Sequence, residues 1–506
     1  MTRNRSGIFA ILLCAALAWA IVPSSARGEV TVHVNDPAVP GVFDQPSVAI
    51  NGSTAHVAYI GGTTTAGPFL LYYAAINGGS NFSDLSLTRD TAGFLVTPPV
   101  AIDNTDPGND PYVDARHPQI LLRSATDIVI LFQAKAAASP NPEYLLYLAR
   151  LTIDNNAVVA QSVRAIAGLS GFNEDVSFGL VSSDNTARIA YAGRPSVSDR
   201  FDLYFARVSL DNAAVTGTPG TPLLLTSTAC GTGTRPLPSL KLDDLNRAHV
   251  AWAANNDNTD PSPVCYALVK ETSGADNVVI SGTQVLGRSR KWGTPNLLVN
   301  SRSSIAILGV DESAPGTAGN LGMATINPDA DDQDGSPVLV QTNTKFLPAP
   351  GEVILPDSFD LYRPTAFRDT LGTIHMSGYG NGLEYSTYYA FKPASAFPYG
   401  TFGTNPMPVG LGSDQFPAEL AGDYTRGTFG FITSGKAIAF WSGEDLSTGS
   451  RNLNVTGIPT LKAVDVNESG CSAAGSGGSG FAAAILLLVP AGLLGRRRHP
   501  RRHGAG

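Results

Sequence analysis

Charged residues and cysteines are scarce in this chain of 506 residues. Asp, Glu, Lys and Arg together make up 15 % of the sequence, and there are 4 Cys, 4 Met and 4 Trp. An average globular chain has roughly 25 % charge, so the composition argues against a coiled coil, a helical bundle or a highly charged disordered chain. The chain is instead rich in Gly and Pro, with 53 and 35 copies, and 43 % of it is hydrophobic. This combination favours a core made of many short strands joined by turns.

The N-terminus has the pattern of a secretory signal peptide. Arg3 and Arg5 precede an apolar run over residues 8–22, and Ser24 and Ala26 provide small residues at positions −3 and −1 of a cleavage site. The apolar run is shorter than the roughly 20 residues that span a bilayer. We therefore expect residues 1–26 to be removed on export. A retained N-terminal membrane anchor is the alternative.

The C-terminus has the pattern of a membrane-inserted segment. A short motif, Gly470-Cys471-Ser472, is followed by a small-residue spacer that ends at residue 480 and by an apolar stretch over residues 481–495. Five arginines follow in residues 496–506. By the positive-inside rule, this predicts a transmembrane helix at 481–495 with a basic cytoplasmic tail and the body of the protein outside.

This order of parts resembles the bacterial C-terminal protein-sorting signals. Gly470-Cys471-Ser472 resembles the cysteine-containing myxosortase-type (MYXO-CTERM) signal, and Val464-Asp465-Val466-Asn467 resembles the motif of the JDVT-CTERM variety. The resemblance implies export machinery and a membrane sorting protease as partners, with cleavage near Cys471. It also implies attachment to the cell surface or release from it. The alternative is an ordinary single-pass anchor with an incidental cysteine.

The charge of the chain is unevenly divided. The whole chain carries a formal net charge of −8, while the charged residues of the leader and of the tail are all basic. The body between them keeps 27 basic and 42 acidic residues, a net charge of −15. Such an acidic body lacks the basic footprint of a nucleic-acid-binding protein. We therefore expect no nucleic-acid partner.

The cysteines fit an exported protein. Cys14 lies in the leader and Cys471 in the tail, which leaves Cys230 and Cys265 in the body. In an oxidising compartment these two are expected to form a disulfide. A catalytic thiol is the alternative, although neither cysteine has a histidine nearby in a recognisable frame.

The body repeats a three-strand pattern with a period near 60 residues. The units begin at Pro46, Pro118, Val176, Pro238, Pro295, Pro364 and Pro417. Repeats of this length with several alternating strands are typical of propeller blades. The sequence therefore predicts an all-β protein with a β-propeller of about seven blades over residues 29–460. Six or eight blades and a set of β-sandwich domains remain open. Val30 to Val34 could complete the last blade and close the ring.

The repeated strands resemble those of BNR-like and sialidase-like propellers. The resemblance lies in lines such as Ala55-His56-Val57-Ala58-Tyr59 followed by Leu70-Leu71-Tyr72-Tyr73-Ala74. It implies a propeller that acts on or binds glycans. The sequence contains no full Ser-x-Asp-x-Gly-x-x-Trp box, and residues 368–375 are the nearest fragment.

Three histidines, His56, His249 and His375, occupy the same place in three units. A position shared between blades is expected to be architectural, with the side chain pinning a neighbouring turn. Catalysis or metal binding is the alternative.

Three arginines, Arg116, Arg235 and Arg363, stand just ahead of three units. If these strands are the innermost ones, the guanidinium groups could converge on a carboxylate of an acidic sugar or peptide. The alternative is a local partner for each, such as Asp114 or Asp360. The acidic residues at comparable places are Asp44, Glu174, Asp175 and Glu419.

One acidic segment has the composition of a calcium loop, and its candidate ligands are Asp329, Asp331, Asp332 and Asp334. The EF-hand frame through it lacks carboxylates at the first and twelfth positions. Calcium is thus a weak candidate, and no other cofactor is expected.

The leading functional hypothesis is a non-enzymatic, surface-displayed or released propeller that binds an extracellular glycan or protein. One alternative is a sialidase-like or other glycan-cleaving hydrolase that uses the three arginines, and another is a purely structural component of the envelope.

Overall fold

The computed structural model describes most of residues 32–458. The described segments are 32–35, 41–77 (without 53 and 65), 95–96, 100–102, 110–137, 143–169, 171–196, 199–216, 221–227, 230, 237–254, 263–286, 295–311, 320–328, 338–345, 361–368, 374–381, 385–392, 403–409, 415–416, 428–431, 437–445 and 450–458. The predicted signal peptide, sorting motif and transmembrane helix lie outside them. None of the described residues belongs to a helix long and apolar enough to cross a membrane.

The described elements are β-strands, so the all-β prediction is confirmed. The first group is β1 (Val32–His33), β2 (Val42–Asn51), β3 (Thr54–Gly62), β4 (Leu70–Asn77), β5 (Leu95–Val96) and β6 (Val100–Ala101). The second is β7 (Tyr112–Ser124), β8 (Asp127–Ala136), β9 (Leu145–Asp154) and β10 (Ala157–Ala165). The third is β11 (Phe172–Val181), β12 (Thr186–Arg194), β13 (Asp202–Ser209), β14 (Val215–Thr216) and β15 (Leu223–Leu224).

The later strands repeat the same plan. They are β16 (Pro238–Leu242), β17 (Ala248–Ala253), β18 (Val264–Thr272), β19 (Ala275–Leu286), β20 (Asn296–Ser301), β21 (Ser304–Asp311), β22 (Asn320–Asn327), β23 (Val338–Lys345), β24 (Leu361–Arg368), β25 (Ile374–Asn381), β26 (Tyr385–Lys392) and β27 (Gly403–Val409). The last are β28 (Gln415–Phe416), β29 (Thr428–Phe431), β30 (Ala437–Asp445) and β31 (Ser450–Ile458).

Consecutive strands pair into antiparallel meanders. Sheets β7–β10, β11–β15, β16–β19, β20–β23 and β24–β27 are separate, while β1–β6 and β28–β31 share one ten-stranded sheet. In that sheet β2 runs parallel to β31 at the pair Val42 and Arg451. The short β1 pairs with β31 at Val32 and Val455, while closure of the ring by this segment stays a prediction.

The first strands of successive sheets lie side by side. β2 packs against β7, β7 against β11, β11 against β16, β16 against β20 and β20 against β24, while β29 contacts β2. We call these the inner strands. Four of the buried apolar clusters each span two neighbouring sheets, and a fifth joins β2–β4 to β30 and β31 within the ten-stranded sheet, so most of the described core is the layer between sheets. Stacked meanders that bury their faces against one another are the architecture of a β-propeller.

Serines of the repeat join the inner strands to one another. The hydroxyl oxygen of Ser47 accepts the backbone N–H of Ile120 at 3.1 Å, and Ser177 accepts that of Leu240 at 2.9 Å. Ser239 accepts the N–H of Leu297 at 3.1 Å. Each serine is the second residue of its repeat unit, so the repeated Pro-Ser or Val-Ser pair has a structural function. It satisfies one N–H of the next inner strand and fixes the spacing of adjacent sheets.

The predicted disulfide between Cys230 and Cys265 is confirmed. Cys265 lies in β18, directly opposite Trp252 of β17, and both cysteines are fully buried. In two other sheets the equivalent cross-strand pairs are stacked tyrosines, Tyr59 with Tyr72 and Tyr191 with Tyr204. The disulfide thus occupies the place of an aromatic ring in this sheet.

Candidate functional site

Bulges distort the starts of the inner strands. The pairing register shifts between Asp44 and Ser47 in β2, and between Glu174 and Val176 in β11. It shifts between Val113 and Arg116 and again between Arg116 and Gln119 in β7. A bulge adds a residue to one strand and redirects a side chain, and bulges are common beside functional sites. The end of the sheets that carries these bulges, called here the strand-start end, is therefore the candidate site.

Each of these bulges contains a residue with a left-handed backbone, and in the first shift of β7 this residue is Asp114, with φ 56°. Gln45 has φ 53°, His117 has φ 47° and Asp175 has φ 36°. Each stands directly before the first residue of its repeat unit. Left-handed φ angles are uncommon outside glycine and are associated with functional positions. We call these three the bulge residues.

The bulge residues are linked side by side across the sheets. The backbone N–H of His117 donates to Oε1 of Gln45 at 2.6 Å, and its Nδ1 lies 3.4 Å from Oδ1 of Asp175. Gln133 of β8 donates to the same Asp175 oxygen at 3.5 Å. All four residues are buried. These contacts link the strand starts to one another through Oδ1 of Asp175.

Asp44 joins the two ends of the described chain. Arg451 Nη1 lies 3.2 Å from Asp44 Oδ2, and the Ser442 hydroxyl donates to Oδ1 at 3.1 Å. The N–H of Gln45 donates to Oδ1 at 2.6 Å. Burial raises the pKa of Asp44, and the charge of Arg451 opposes that rise. The carboxylate is therefore fully occupied by groups of the first and last strands.

The more accessible part of the strand-start end is a cluster around Asp114. We define the Asp114 cluster as Asp114, Arg116, Lys135 and Tyr144. Lys135 Nζ and the Tyr144 hydroxyl each donate to Asp114 Oδ2 at 2.7 Å, and Arg116 Nη2 lies 3.6 Å from it. Burial disfavours the charged form of Asp114, but these donors outweigh it and lower the pKa of the carboxyl group.

Both cations of the Asp114 cluster also contact the Tyr144 ring. The guanidinium carbon of Arg116 lies 4.8 Å from the ring centroid, and Lys135 Nζ lies 4.9 Å from it. Their side chains are 28 % and 29 % exposed, against 11 % for Asp114. Both cations can therefore meet solvent or a ligand, while the anion lies beneath them.

Strand direction explains why these residues meet. β7 leads away from the strand-start end and β8 returns to it, so the end of β8 and the start of β9 lie beside the start of β7. This brings Lys135 and Tyr144 to Arg116. On the adjoining sheet Arg194 forms an ion pair of 3.1 Å with Glu143, and its guanidinium lies 4.6 Å from the Phe201 ring.

Of the three candidate arginines, Arg116 has a described side chain. It lies beside Asp114, which was the local alternative. Arg363 lies in β24 at a register shift between Tyr362 and Thr365. Its position in the repeat therefore corresponds to that of a bulge residue and not to that of Arg116. Arg235 lies outside the described residues, so convergence of the three arginines stays a prediction.

The four acidic candidates from the sequence also lie partly inside and partly outside the described residues. Asp44 and Asp175 belong to the strand-start end, and the backbone of Glu174 pairs with Ala192 there. The fourth acid, Glu419, lies outside the described residues. So do the sorting residues, Gly470 and Cys471, and the weak calcium candidates, Asp329, Asp331, Asp332 and Asp334. No group of three or more His, Cys, Asp or Glu is placed to hold a metal ion in the part of the chain that the structure describes.

Sequence reasoning missed Lys135, Tyr144 and the bulge residues Gln45 and His117 as members of this region. Lys135 and Tyr144 carry no motif, and a signal for them lies only in their places at the end of one predicted strand and just before the next. His117 was visible within Arg116-His117-Pro118, but a left-handed backbone at a non-glycine residue leaves no compositional mark.

The architectural interpretation of the repeat histidines agrees with the structure for two of them. His56 Nδ1 lies 2.7 Å from the Tyr73 hydroxyl, and His249 Nδ1 lies 2.8 Å from that of Tyr266. His249 Nε2 also lies 3.4 Å from Asp243, in the turn before its strand. Both histidines are buried. The side chain of His375 is outside the description.

Neither a protein-family model nor a curated protein matches the sequence. Among solved structures, a protein of unknown function from Dyadobacter fermentans DSM 18053 is 12 % identical with a TM-score of 0.46, over 68 % of this chain and 94 % of that one. An ulvan lyase of polysaccharide lyase family PL25 is 11 % identical with a TM-score of 0.43, over 73 % of this chain and 81 % of that one. The phage phi92 endosialidase is 10 % identical with a TM-score of 0.43, over 90 % and 71 %.

Proposed function

We propose that this chain is an exported β-propeller of about seven blades that binds an extracellular glycan or protein ligand at the strand-start end, without catalysing a reaction. The observation that carries the proposal is the state of the acids there. Asp44 is bound by Arg451 and Ser442, and Asp175 by His117 and Gln133.

Committed carboxylates favour binding over glycoside hydrolysis. Hydrolysis generally needs two carboxyl groups about 5 to 9 Å apart, one protonated and one free to act as base or nucleophile. Asp44 is buried in a complete set of partners, and Asp114 is held in its charged form by Lys135 and Tyr144. Arg116 and Lys135 are partly exposed at this end and can hold a ligand by charge.

A binding assay run beside a turnover assay tests this proposal. Purified protein is titrated with a panel of neutral and acidic oligosaccharides, and the same mixtures are analysed for shortened or unsaturated products. We expect binding that weakens at least fivefold in Arg116→Ala, with no products. The control is Arg302→Ala, which lies in the hairpin at the opposite end of its sheet. Product formation that is lost in Arg116→Ala or Arg235→Ala would establish the hydrolase instead.

We further propose that the chain is exported by its first 26 residues and processed at Cys471 by a membrane sorting protease, which leaves it at the cell surface or releases it. The support is the order of motif, apolar stretch and arginines in the sequence. Cys471→Ala is expected to leave the C-terminus intact and to abolish surface retention. Mass spectrometry of the mature wild-type protein that finds Gly506 at its end would refute processing.

A further inference from the structure

The charge of the Asp114 cluster differs in sign from that of the body. Arg116 and Lys135 contribute two positive charges and Asp114 one negative charge, so the cluster has a net charge of +1. The nearby Arg194 and Glu143 form an ion pair and cancel. The body as a whole is acidic, with a net charge of −15. The cluster can therefore balance one further negative charge, while a polyanion would be repelled by the surrounding protein.

The donors of the cluster suit a carboxylate. The Lys135 ammonium has three N–H groups, and Asp114 takes one of them at 2.7 Å. The Arg116 guanidinium is a planar fork that matches the two oxygens of a carboxylate. Its Nη2 lies 3.6 Å from Oδ2 of Asp114. Contact with Tyr144 restrains both cations, which lowers the entropy lost when a ligand is bound.

Exposed apolar side chains lie next to these donors. Val113 is directly opposite Lys135 in the register of β7 and β8, and it is 39 % exposed. Leu70 is also 39 % exposed and follows Phe69, whose carbonyl accepts the N–H of Ala115 in β7. A sugar acid carries its carboxylate directly on a ring that also has an apolar C–H face. Such a ring can place its carboxylate on the cations and its C–H face on Val113 at the same time.

We propose that the Asp114 cluster binds a single carboxylate of a uronic-acid sugar in an otherwise uncharged glycan, with Arg116 and Lys135 as the charged ligands and Val113 against the sugar ring. Tyr144 and Asp114 are positioning residues that hold the two cations. This inference rests on the proposed binding function and names its ligand class.

The test uses two sugars that differ only in one group, which is a carboxylate in the first and an uncharged hydroxymethyl group in the second. A disaccharide with one glucuronic acid and its carboxyl-reduced counterpart are titrated by calorimetry into the full-length protein. We expect at least tenfold tighter binding of the acid. Lys135→Met should remove that difference and leave the reduced sugar unaffected, while Lys135→Arg should keep most of it. Arg302→Met, at the opposite end of its sheet, should change neither affinity. The comparison of sugars on the wild type needs no variant, so an unfolded Lys135→Met does not weaken the test.

Three results would overturn the inference. Equal binding of the two sugars would show that the carboxylate is not recognised, but it would leave the proposed binding function intact. Tighter binding of a heavily sulfated glycan would contradict the preference for one charge. Binding of poly-glutamate that depends on Lys135, without binding of the glucuronide, would assign the cluster to acidic peptides. Turnover of the disaccharide, in contrast, would refute the proposed non-enzymatic function and not this choice of ligand.

Discussion

The Nδ1 atom of His56 lies 2.7 Å from the hydroxyl oxygen of Tyr73, and both side chains are buried between sheets. The backbone register places Tyr73 two residues before Ala75, which is the direct partner of His56. Tyr266 stands in the same relation to His249, and the backbone of Tyr389 to that of His375. The repeat thus encodes a His and Tyr pair that joins two strands of a sheet.

The His56 pair predicts a loss of stability in acid. Burial lowers the pKa of His56 from 6.5 to about 4, and its Nε2 is buried without a hydrogen-bond partner among the described residues. The unfolded chain binds a proton below about pH 6.5, whereas the folded one does so only near pH 4. The free energy of unfolding should therefore fall between those values, by on the order of 3 kcal/mol from this group.

Urea titrations at intervals from pH 7.5 to 4.5 measure this effect. His56→Gln cannot titrate, so the gap between its stability and that of the wild type should narrow steadily as the pH falls. Parallel curves for the two proteins would show that His56 does not protonate on unfolding.

The disulfide between Cys230 and Cys265 should stabilise the fold considerably. It closes a loop with a sequence separation of 35, and loops of this size are expected to contribute about 2 to 4 kcal/mol by restricting the unfolded chain. The double variant Cys230→Ser/Cys265→Ser should lose that amount in chemical denaturation. Reductant should destabilise the wild type and leave the double variant unchanged. An equal loss of stability in reductant for both proteins would show that the reductant does not act through this disulfide.

The serine contacts between inner strands predict a small, local effect. Ser239→Ala leaves the N–H of Leu297 without its acceptor, which should cost about 1 kcal/mol. Hydrogen exchange should become faster at the amide of Leu297. Ser301→Ala, at an exposed hairpin, is the matched control and should change neither quantity. Unchanged exchange at Leu297 would mean that water replaces the hydroxyl without loss.

Arg188 predicts a much larger effect because it is buried in an ion-pair network between two sheets. Its side chain is 2 % exposed and lies 2.9 Å from Asp184 and 3.0 Å from Glu271. Asp276 is half-buried beside it and is shared with Arg207. Arg188→Met removes one of the two cations that balance these acids, which should cost about 3 kcal/mol.

Two further variants test that account of Arg188. Adding Asp276→Asn to Arg188→Met removes a carboxylate that has lost one of its cations, and should restore part of the stability. Arg302→Met breaks an exposed ion pair with Asp244 and should have little effect. Thermal unfolding that shows equal losses for Arg188→Met and Arg302→Met would contradict the importance of burial.

The sequence by itself determined the parts of this protein that follow from local pattern and composition. Alternating apolar residues and frequent turns fixed the strands, and the repeat fixed which strands begin each sheet, because strand periodicity is a local property. Counting cysteines was enough to pair Cys230 with Cys265. The shared place of His56 and His249 indicated an architectural function before their tyrosine partners were known.

Only the tertiary structure decided what lies together at the strand-start end. Lys135 and Tyr144 meet Arg116 because β8 returns to the start of β7, and that proximity depends on how strands stack rather than on any motif. Asp44 was a ligand candidate in the sequence, but its distant partner Arg451 occupies it, which only the pairing of the first and last strands reveals. The backbone of His117 turns left-handed because its neighbours in two sheets hold it there.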